Sequence, residues 1–234
     1  FCDIFNNIPN CKLAFIQNGR HTDMRFDGKK IGNYKLDYYF VSGEASASFF
    51  KNYIETIFIA SGSPIANNFN VACHKPVRKI QWIGTFKPSK SFPYSFQNWF
   101  YKPIAVALKT INLFCQMHNM KLEILGRTNL HEEFNLYKEF LDDNFIFKGN
   151  DINRSPYEQY FNLSNNAIIC GLDSALQYEA FSLQYRTAFL TFRSHYIGNK
   201  SYGFGWPDIK EDTGHFWTNI PDEEKILEIL LYLK

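Results

Sequence analysis

The stretch that decides the fold is SNNAIICGLDSALQYEAFSLQYRTAFLTFR, residues 164–193. Its apolar run 167–170 stops at a glycine, and the polar residues of GLDS (171–174) follow at once. A helical pattern over 174–183 then leads into a second apolar run, 187–192. Two short apolar runs joined by a helix are typical of a parallel β-α-β unit, because parallel strands need a long crossover.

The same alternation extends through the C-terminal part of the chain. The predicted strands are 79–86, 121–125, 144–148, 167–170 and 187–192. The predicted helices are 97–118, 130–141, 155–163, 174–183 and 222–233. Helices between successive parallel strands cover both faces of a sheet, so we predict an α/β fold, a Rossmann-like doubly wound domain over residues 75–234.

Residues 1–74 show a shorter version of this pattern. The predicted elements are strands 12–17, 36–41 and 53–60 and a helix at 45–52. Each apolar run stops near a glycine, as strands do at ligand-facing loops. The polar segment 65–79 is expected to be a linker. We expect residues 1–74 to hold the last three strands of a second Rossmann-like domain, incomplete because the chain begins at Phe1.

Composition excludes several classes of protein. Hydrophobic residues make up 45% of the 234 residues and aromatic residues 18%, which argues against disorder. The formal net charge is +2 with no block of five like charges, so no nucleic-acid partner is predicted. No apolar stretch reaches the roughly 18 residues of a membrane span. Five cysteines without a CxxC pair fit a reducing, cytoplasmic location, with Cys115 and Cys170 as reduced core residues.

The turn at 171–175 is the first candidate ligand site, because ligands of open α/β sheets bind outside the carboxyl ends of the strands. Ser174 and Gln177 match the S-x-x-Q capping box, and the N–H groups of that first helical turn suit a phosphate. Glu179 lies one and a half turns further on, where its carboxylate can accept two hydroxyl hydrogen bonds from a ribose. The alternative is a plain capping box with Glu179 in solvent. The candidate nucleotide-binding residues of this segment are Gly171, Asp173, Ser174, Ala175 and Glu179.

Two further strand ends carry an arginine. Gly126 and Arg127 follow the predicted strand 121–125, and Arg193 follows 187–192. An arginine at such a position can clamp a diphosphate, and the alternative is a surface arginine in a turn. We predict that the nucleotide lies between the loops after Leu125 and Cys170.

The connection 202–219 is long, with several aromatic residues and glycines. Long structured loops in α/β domains are often functional. Trp206 and Trp217 are therefore candidates to stack on a sugar or a base. The alternative is a hydrophobic plug that fastens the last helix.

Several other kinds of site are not predicted. The histidines are scattered without metal-ligand spacing, so no metal is expected. The sequence has no GxGxxG fingerprint and no P-loop lysine. It also lacks the GxSxG turn of an α/β-hydrolase, so no hydrolase triad is predicted.

The segment GLDSALQYEAFSLQYRTAFLTFR, 171–193, resembles the donor-binding segment of GT-B glycosyltransferases. In that family a serine or threonine at a helix start meets phosphate, and a glutamate further along holds the ribose. Four more stretches are similar to bacterial surface-carbohydrate biosynthesis proteins, including capsule and lipopolysaccharide transferases. They are FIQNGRHTD, YYFVSGEASASFFKNYI, IASGSPIANN and FGWPDIKEDTGHFWTN.

The resemblance implies two Rossmann-like domains facing a cleft, with the acceptor on the side of residues 1–74 and the nucleotide sugar on the side of 75–234. It implies metal-independent transfer without a cofactor, from a nucleotide-sugar donor to a glycan or glycolipid acceptor. It also implies a cytoplasmic protein in peripheral contact with the inner membrane. Ser174 would meet phosphate and Glu179 the ribose. The residues that would line the cleft from the N-terminal side are Gln17, Asn18, Gly19, Gly62 and Ser63.

A transferase needs an acid–base or nucleophilic residue near the anomeric carbon. The candidates are His21, Asp23 and Glu44, each also open to being an ordinary loop residue. His21 is the candidate base, since it follows a predicted strand end and histidine titrates near neutrality. Two other functions remain open: a sugar-nucleotide epimerase of the same fold, and a non-catalytic nucleotide-sugar-binding module.

Overall fold

The chain folds into two compact units, Phe1–Asn70 and Val71–Lys234. The computed structural model describes residues 11–17, 36–64, 66–86, 101–141, 144–151, 158–206 and 208–234. Each unit is built on its own parallel sheet.

The first unit contains a three-stranded parallel sheet in the order β1-β2-β3. The strands are β1 (Ala14–Ile16), β2 (Tyr38–Val41) and β3 (Ile57–Ala60), and helix α1 (Glu44–Phe50) connects β2 to β3. Alternate residues of β2, Tyr39 and Val41, are buried with Ala47 and Phe50 of the helix, as the two-residue period of a strand requires. The three strands and the helix predicted for this unit are confirmed.

The second unit contains a six-stranded sheet, and every strand pair in it is parallel. Its strands are β4 (Lys79–Ile83), β5 (Lys121–Leu125), β6 (Ile146–Lys148), β7 (Ala167–Gly171), β8 (Thr187–Leu190) and β9 (Trp217–Thr218). Its helices are α2 (Lys102–Met117), α3 (His131–Leu141), α4 (Glu158–Phe161), α5 (Ala175–Ser182), α6 (Arg193–Ile197) and α7 (Glu223–Leu233). The order β6-β5-β4-β7-β8-β9 is that of a Rossmann-like doubly wound sheet, so the predicted fold class is confirmed.

The main core lies on the face of the sheet that carries Ile80, Trp82 and Ile124. Helix α2 packs there because its apolar residues recur at the helical period, as Ile104, Leu108, Ile111 and Cys115. Helices α3 and α7 contribute to the same core. The last helix begins where Asp222 accepts a hydrogen bond from the backbone N–H of Lys225, and it buries Ile226, Ile229 and Leu230.

The opposite face of β4 and β5 carries a buried polar network centred on Glu123. Lys79 Nζ lies 3.0 Å from one Glu123 carboxylate oxygen, and Lys148 Nζ lies 3.4 Å from the other. Gln81 Nε2 donates to Glu123 at 2.8 Å and also to the Asn162 carbonyl. Burial raises the pKa of Glu123, but the bonds from Lys79 and Gln81 and the lysine charges outweigh it and lower that pKa. The Glu123 charge is therefore compensated by Lys79 and Lys148 within the fold.

Several elements are shorter than predicted, and the clearest differences lie at β8 and in the connection that follows it. Strand β8 ends at Leu190 instead of residue 192, because helix α6 begins at Arg193. Residues 217–218 form strand β9 inside the stretch that was predicted to be a loop, paired in register with Phe189 and Leu190.

The expected linker, 65–79, is only partly a linker. Its C-terminal part is hydrogen-bonded within the second unit: the N–H groups of Ala72, Lys75 and Arg78 donate to backbone carbonyls of residues 183, 165 and 166. These bonds hold residues 72–78 against the segment before β7 and the C-terminal end of α5.

Candidate functional site

Strands β4 and β7 are neighbours at the centre of the six-stranded sheet. From β4 the chain adds β5 and β6 on one side, and from β7 it adds β8 and β9 on the other. The strand order therefore reverses between them, and ligands of open α/β sheets bind in the crevice outside such a switch point. The described residues that follow these two strands, and would border such a crevice, are Gly84 and Thr85 after β4 and residues 172–174 after β7.

A buried arginine connects the loops at this switch point. Arg193 Nη1 donates to Asp173 Oδ1 at 2.5 Å, and Nη2 donates to the Thr85 hydroxyl at 2.9 Å. The side chain of Arg193 is 5% exposed and that of Asp173 is 13% exposed. Arg193 is therefore not a surface arginine, and its guanidinium joins the ends of β4, β7 and β8. A contact between Arg193 and a phosphate stays a prediction.

Ser174 stands where the sequence predicts, at the N-cap of α5, with an extended backbone. The predicted capping box, however, is wrong, because the Ser174 side chain makes no capping hydrogen bond. Gln177 does not turn back to Ser174. It is fully buried, and its Nε2 donates to the carbonyls of Gly171 at 3.1 Å and Ala188 at 2.6 Å, bridging β7 and β8.

Gly171 is the last residue of β7, and a larger residue there would have to displace the buried Gln177 amide. A Cβ on Gly171 would lie 2.8 Å from Gln177 Oε1, closer than real contacts allow. Further along the same segment, Ala175 and Glu179 of α5 are half-buried. Glu179 lies in the second turn of α5. Its neighbours on the helix, Leu176 three residues before it and Ala180 directly after it, are buried, so Glu179 lies at the border of the core.

The loop after β5 is held by a residue that the sequence reasoning missed, Glu133 of α3. This carboxylate is fully buried and accepts hydrogen bonds from the N–H groups of Arg127 at 3.0 Å and Thr128 at 2.7 Å. The Thr128 hydroxyl donates to it at 2.8 Å, and the Tyr137 hydroxyl lies 3.4 Å away. Burial raises the pKa of Glu133, although these hydrogen bonds lower it in part.

The signal for Glu133 was present in the sequence. It shares its helix face with Leu136 and Tyr137, three and four residues on, and both are fully buried. A carboxylate on an otherwise apolar helix face needs donors, and the loop before the helix supplies them.

Gly126 and Arg127 lie in this loop, at the carboxyl end of β5. Gly126 is buried against the Phe147 ring, 2.6 Å from where a Cβ would stand, so only glycine fits. Arg127 is exposed. Strand β4 lies between β5 and β7, so the loops after Leu125 and Cys170 follow strands that are two positions apart in the sheet. The nucleotide position between these loops stays a prediction.

The loop over 202–219 packs an aromatic cluster onto β8 and α5. The rings of Phe204 and Phe216 lie 4.6 and 6.3 Å from that of Phe189, and the Phe216 ring stacks on Phe181 at 5.2 Å. Trp217 lies in β9, with its ring 5.2 Å from Phe204. The loop thus contacts α5 through these rings.

Both tryptophans of this loop are half-buried. Stacking of Trp206 and Trp217 on a sugar or base stays a prediction.

In the first unit, two candidate residues already have partners at the ends of the strands. Gln17 follows β1, and its Oε1 accepts a hydrogen bond from the Ser42 N–H at 2.9 Å. Ser63 Oγ accepts from the Ala66 N–H at 3.3 Å, at the start of a short 3-10 helix. Gly62 precedes it with a φ of 75°, a conformation that favours glycine.

The candidate catalytic residues are only partly covered by the structure. Glu44 is the first residue of α1 and is exposed. The other candidates of this unit, Asn18, Gly19, His21 and Asp23, lie outside the described residues.

Two negative findings apply to the described part of the chain. In the described ranges, no three or more His, Cys, Asp and Glu side chains come together in a way that could hold a metal ion. Of the helices that the structure describes, none is long and apolar enough to cross a membrane.

Comparison with known proteins gives one finding. A family model described as "putative O-antigen biosynthesis protein" matches residues 14–234, which spans both units. No curated protein matches the chain.

Proposed function

The chain belongs to this family of O-antigen biosynthesis proteins, which links it to surface-carbohydrate synthesis, and on that premise we propose that it is a glycosyltransferase. It moves a sugar from a nucleotide-activated donor to a growing surface glycan. The acceptor is a glycan or a glycolipid, used at the cytoplasmic face of the inner membrane. The two-unit organisation supports a division of labour, with acceptor binding by the first unit and donor binding by the second.

One observation carries the proposal: the crevice at the switch point between β4 and β7. Sheets with this strand order bind nucleotides at that position. Ser174, at the start of α5, lies directly after β7. Because the family is linked to surface-glycan synthesis, we infer that the ligand of this crevice is a nucleotide sugar.

The donor diphosphate binds at the start of α5 in this proposal. The Ser174 hydroxyl is not used for capping, so it can donate to a phosphate oxygen. The N–H groups of the first turn carry the positive end of the helix dipole and stabilise the same negative charge. Arg127 adds an exposed cation on the loop after β5, at the same carboxyl edge of the sheet. These groups also stabilise the nucleoside diphosphate as it departs, without a metal ion.

Glu179 binds the ribose, one and a half turns after Ser174. Carboxylate oxygens accept from both hydroxyls of a ribose diol. For the acceptor, His21, Asp23 and Glu44 are the candidates to take the hydroxyl proton, and this assignment comes from the sequence alone.

Product analysis with a radiolabelled donor tests the proposal. The chain is incubated with UDP-glucose, GDP-mannose or dTDP-glucose, each labelled in the sugar, and with a glycolipid extract. Transfer gives a labelled glycolipid. Epimerisation gives a new nucleotide sugar instead, and a binding module gives neither product. Parallel reactions with EDTA test the absence of a metal requirement, and loss of transfer that Mn²⁺ restores would contradict it.

A further inference from the structure

We propose that Asp173 binds a hydroxyl group of the transferred sugar and that Arg193 is the positioning residue that orients it. The proposal rests on the proposed function and adds to it the residue that contacts the sugar. It replaces the expectation that Arg193 clamps a phosphate.

The first step is the geometry of the pair. Arg193 begins α6, after β8, and its side chain reaches across to Asp173 after β7 and Thr85 after β4. Only one carboxylate oxygen, Oδ1, bonds to the guanidinium. Within the ranges that the structure describes, no hydrogen bond reaches Oδ2, while the Asp173 side chain keeps 13% of its surface exposed. Asp173 therefore borders the crevice with a fixed orientation and one available acceptor.

The second step is the kind of ligand group that the Asp173 Oδ2 acceptor can bind. An ionised carboxylate accepts hydrogen bonds and donates none. A phosphate at neutral pH also offers only acceptors and carries the same sign of charge, so the two repel. A sugar hydroxyl donates, and a charged acceptor makes that bond stronger than a neutral one.

The third step concerns the role of Arg193. Its guanidinium lies almost entirely inside the protein, where an uncompensated charge would be costly. Asp173 supplies the opposite charge, and the Thr85 hydroxyl takes a second guanidinium N–H. The loops after β4, β7 and β8 are thus tied in one arrangement, so Arg193 fixes the direction of the Asp173 carboxylate without contacting the ligand.

The order of residues along the chain separates the sugar from the ribose. Glu179 lies five residues after Ser174, about 7.5 Å along the helix. Asp173 lies on the other side of Ser174. A nucleotide sugar has the matching order, in which the diphosphate joins the ribose to the sugar. With the diphosphate at Ser174 and the ribose at Glu179, the sugar falls beside Asp173.

Calorimetric titration of Asp173→Asn tests the assignment. The probes are UDP, GDP and dTDP, and their conjugates UDP-glucose, GDP-mannose and dTDP-glucose. For the pair that the parent chain binds, we expect the sugar conjugate to bind about 10- to 150-fold more weakly to the variant, as loss of a charge-assisted bond implies. Binding of the nucleotide alone should be unchanged.

Two results would overturn the assignment while leaving the proposed function intact. Equal weakening of nucleotide and conjugate would place the ribose at Asp173. Tighter binding of the nucleotide alone would mean that Arg193, released from Asp173, is a phosphate ligand. If the parent chain binds none of the six probes, the proposed function fails and this assignment fails with it.

The variants also need to fold, because Asp173→Asn leaves the Arg193 charge buried. The double variant Asp173→Asn with Arg193→Gln removes both charges together, and it should show the same selective loss for the conjugate. Arg193→Gln alone should shift the same ratio of conjugate to nucleotide affinity, whereas a purely structural role would weaken both ligands alike. Glu228→Gln breaks an exposed ion pair with Lys225 on α7 and is the matched control, expected to change neither affinity.

Discussion

Glu133 and Thr128 are joined by two hydrogen bonds to the same carboxylate oxygen, 2.7 Å from the Thr128 N–H and 2.8 Å from its hydroxyl. The other oxygen accepts from the Arg127 N–H. One helix side chain therefore fixes the conformation of the loop after β5, which contains Arg127.

Glu133→Ala should destabilise the protein by roughly 2–4 kcal/mol, because it leaves two backbone N–H groups and two hydroxyls without their buried acceptor. Urea unfolding followed by circular dichroism measures the change. Glu139→Ala, an exposed residue of the same helix, is the control and should have little effect. Equal stabilities of the two variants would show that Glu133 does not hold the loop.

The pH dependence of stability gives a second prediction for Glu133. Its pKa in the folded protein is raised above the ordinary value of 4.5, with burial as the largest cause. The folded state then binds the proton more tightly than the unfolded state. The contribution of Glu133 to stability is therefore fully present below the unfolded value and is lost as the pH rises through the folded one.

The non-titrating variant Glu133→Gln isolates this contribution. The difference in unfolding free energy between the parent and the variant should be largest below the ordinary value of 4.5 and should shrink as the pH rises above it. Urea titrations at several pH values measure it. A difference that grows toward neutral pH would mean that the folded pKa is lowered.

Gly171→Ala should destabilise the second unit by about 1–3 kcal/mol, the usual effect of overpacking a filled core. The added methyl group would displace Gln177, whose amide bridges the carbonyls of Gly171 and Ala188. Thermal unfolding provides the measurement. Gly43→Ala is the control, since nothing lies within 4 Å of its added Cβ. If both variants melt like the parent, the Gln177 bridge is not rigid.

Thiol labelling separates the cysteines of the folded protein. Cys115 and Cys170 are buried, and burial raises the pKa of Cys115 to about 12 and that of Cys170 well above its ordinary value. Since the thiolate is the reactive form, neither should react with Ellman's reagent at about pH 8 until urea is added. The exposed Cys11 and Cys73 should react at once. A variant with serine at positions 2, 11 and 73 leaves Cys115 and Cys170 as the only thiols. Fast labelling of that variant without urea would contradict their burial.

The local pattern of the sequence was enough to predict most elements of the fold. Strand 121–125 was predicted with the bounds that it has, because its apolar residues stop at Gly126. The strand order could not be read in the same way. The adjacency of β4 and β7 depends on the direction in which each crossover travels, and local hydrophobic periodicity does not record that direction.

The candidate site also has parts that the sequence predicted and parts that it did not. Ser174 could be placed at a helix start, because strand ends and caps are local features. The pairing of Arg193 with Asp173 joins residues 20 positions apart across two strand ends, so it required the fold. Gln177 matched a local capping pattern, but a tertiary contact with β8 was the stronger interaction. Tertiary contacts therefore decide the parts of the site that single-sequence patterns miss.

The last prediction separates the roles of Ser174 and Glu179 in nucleotide binding. If the Glu179 carboxylate accepts hydrogen bonds from both ribose hydroxyls, Glu179→Ala should lose about 2–4 kcal/mol, which is roughly 30- to 1,000-fold in affinity. Glu179→Gln should lose less, because an amide oxygen still accepts. Ser174→Ala should weaken nucleotides and spare the bare nucleoside, since it removes only a phosphate contact.

Calorimetry with uridine, guanosine and thymidine and with their diphosphates measures these differences. Thymidine lacks the 2′-hydroxyl, so Glu179→Ala should affect it less than it affects uridine. Glu132→Ala, an exposed glutamate near the start of α3, is the matched control. If Glu179→Ala binds both nucleoside and nucleotide like the parent, Glu179 is a structural residue of α5 and the ribose must be held by another group.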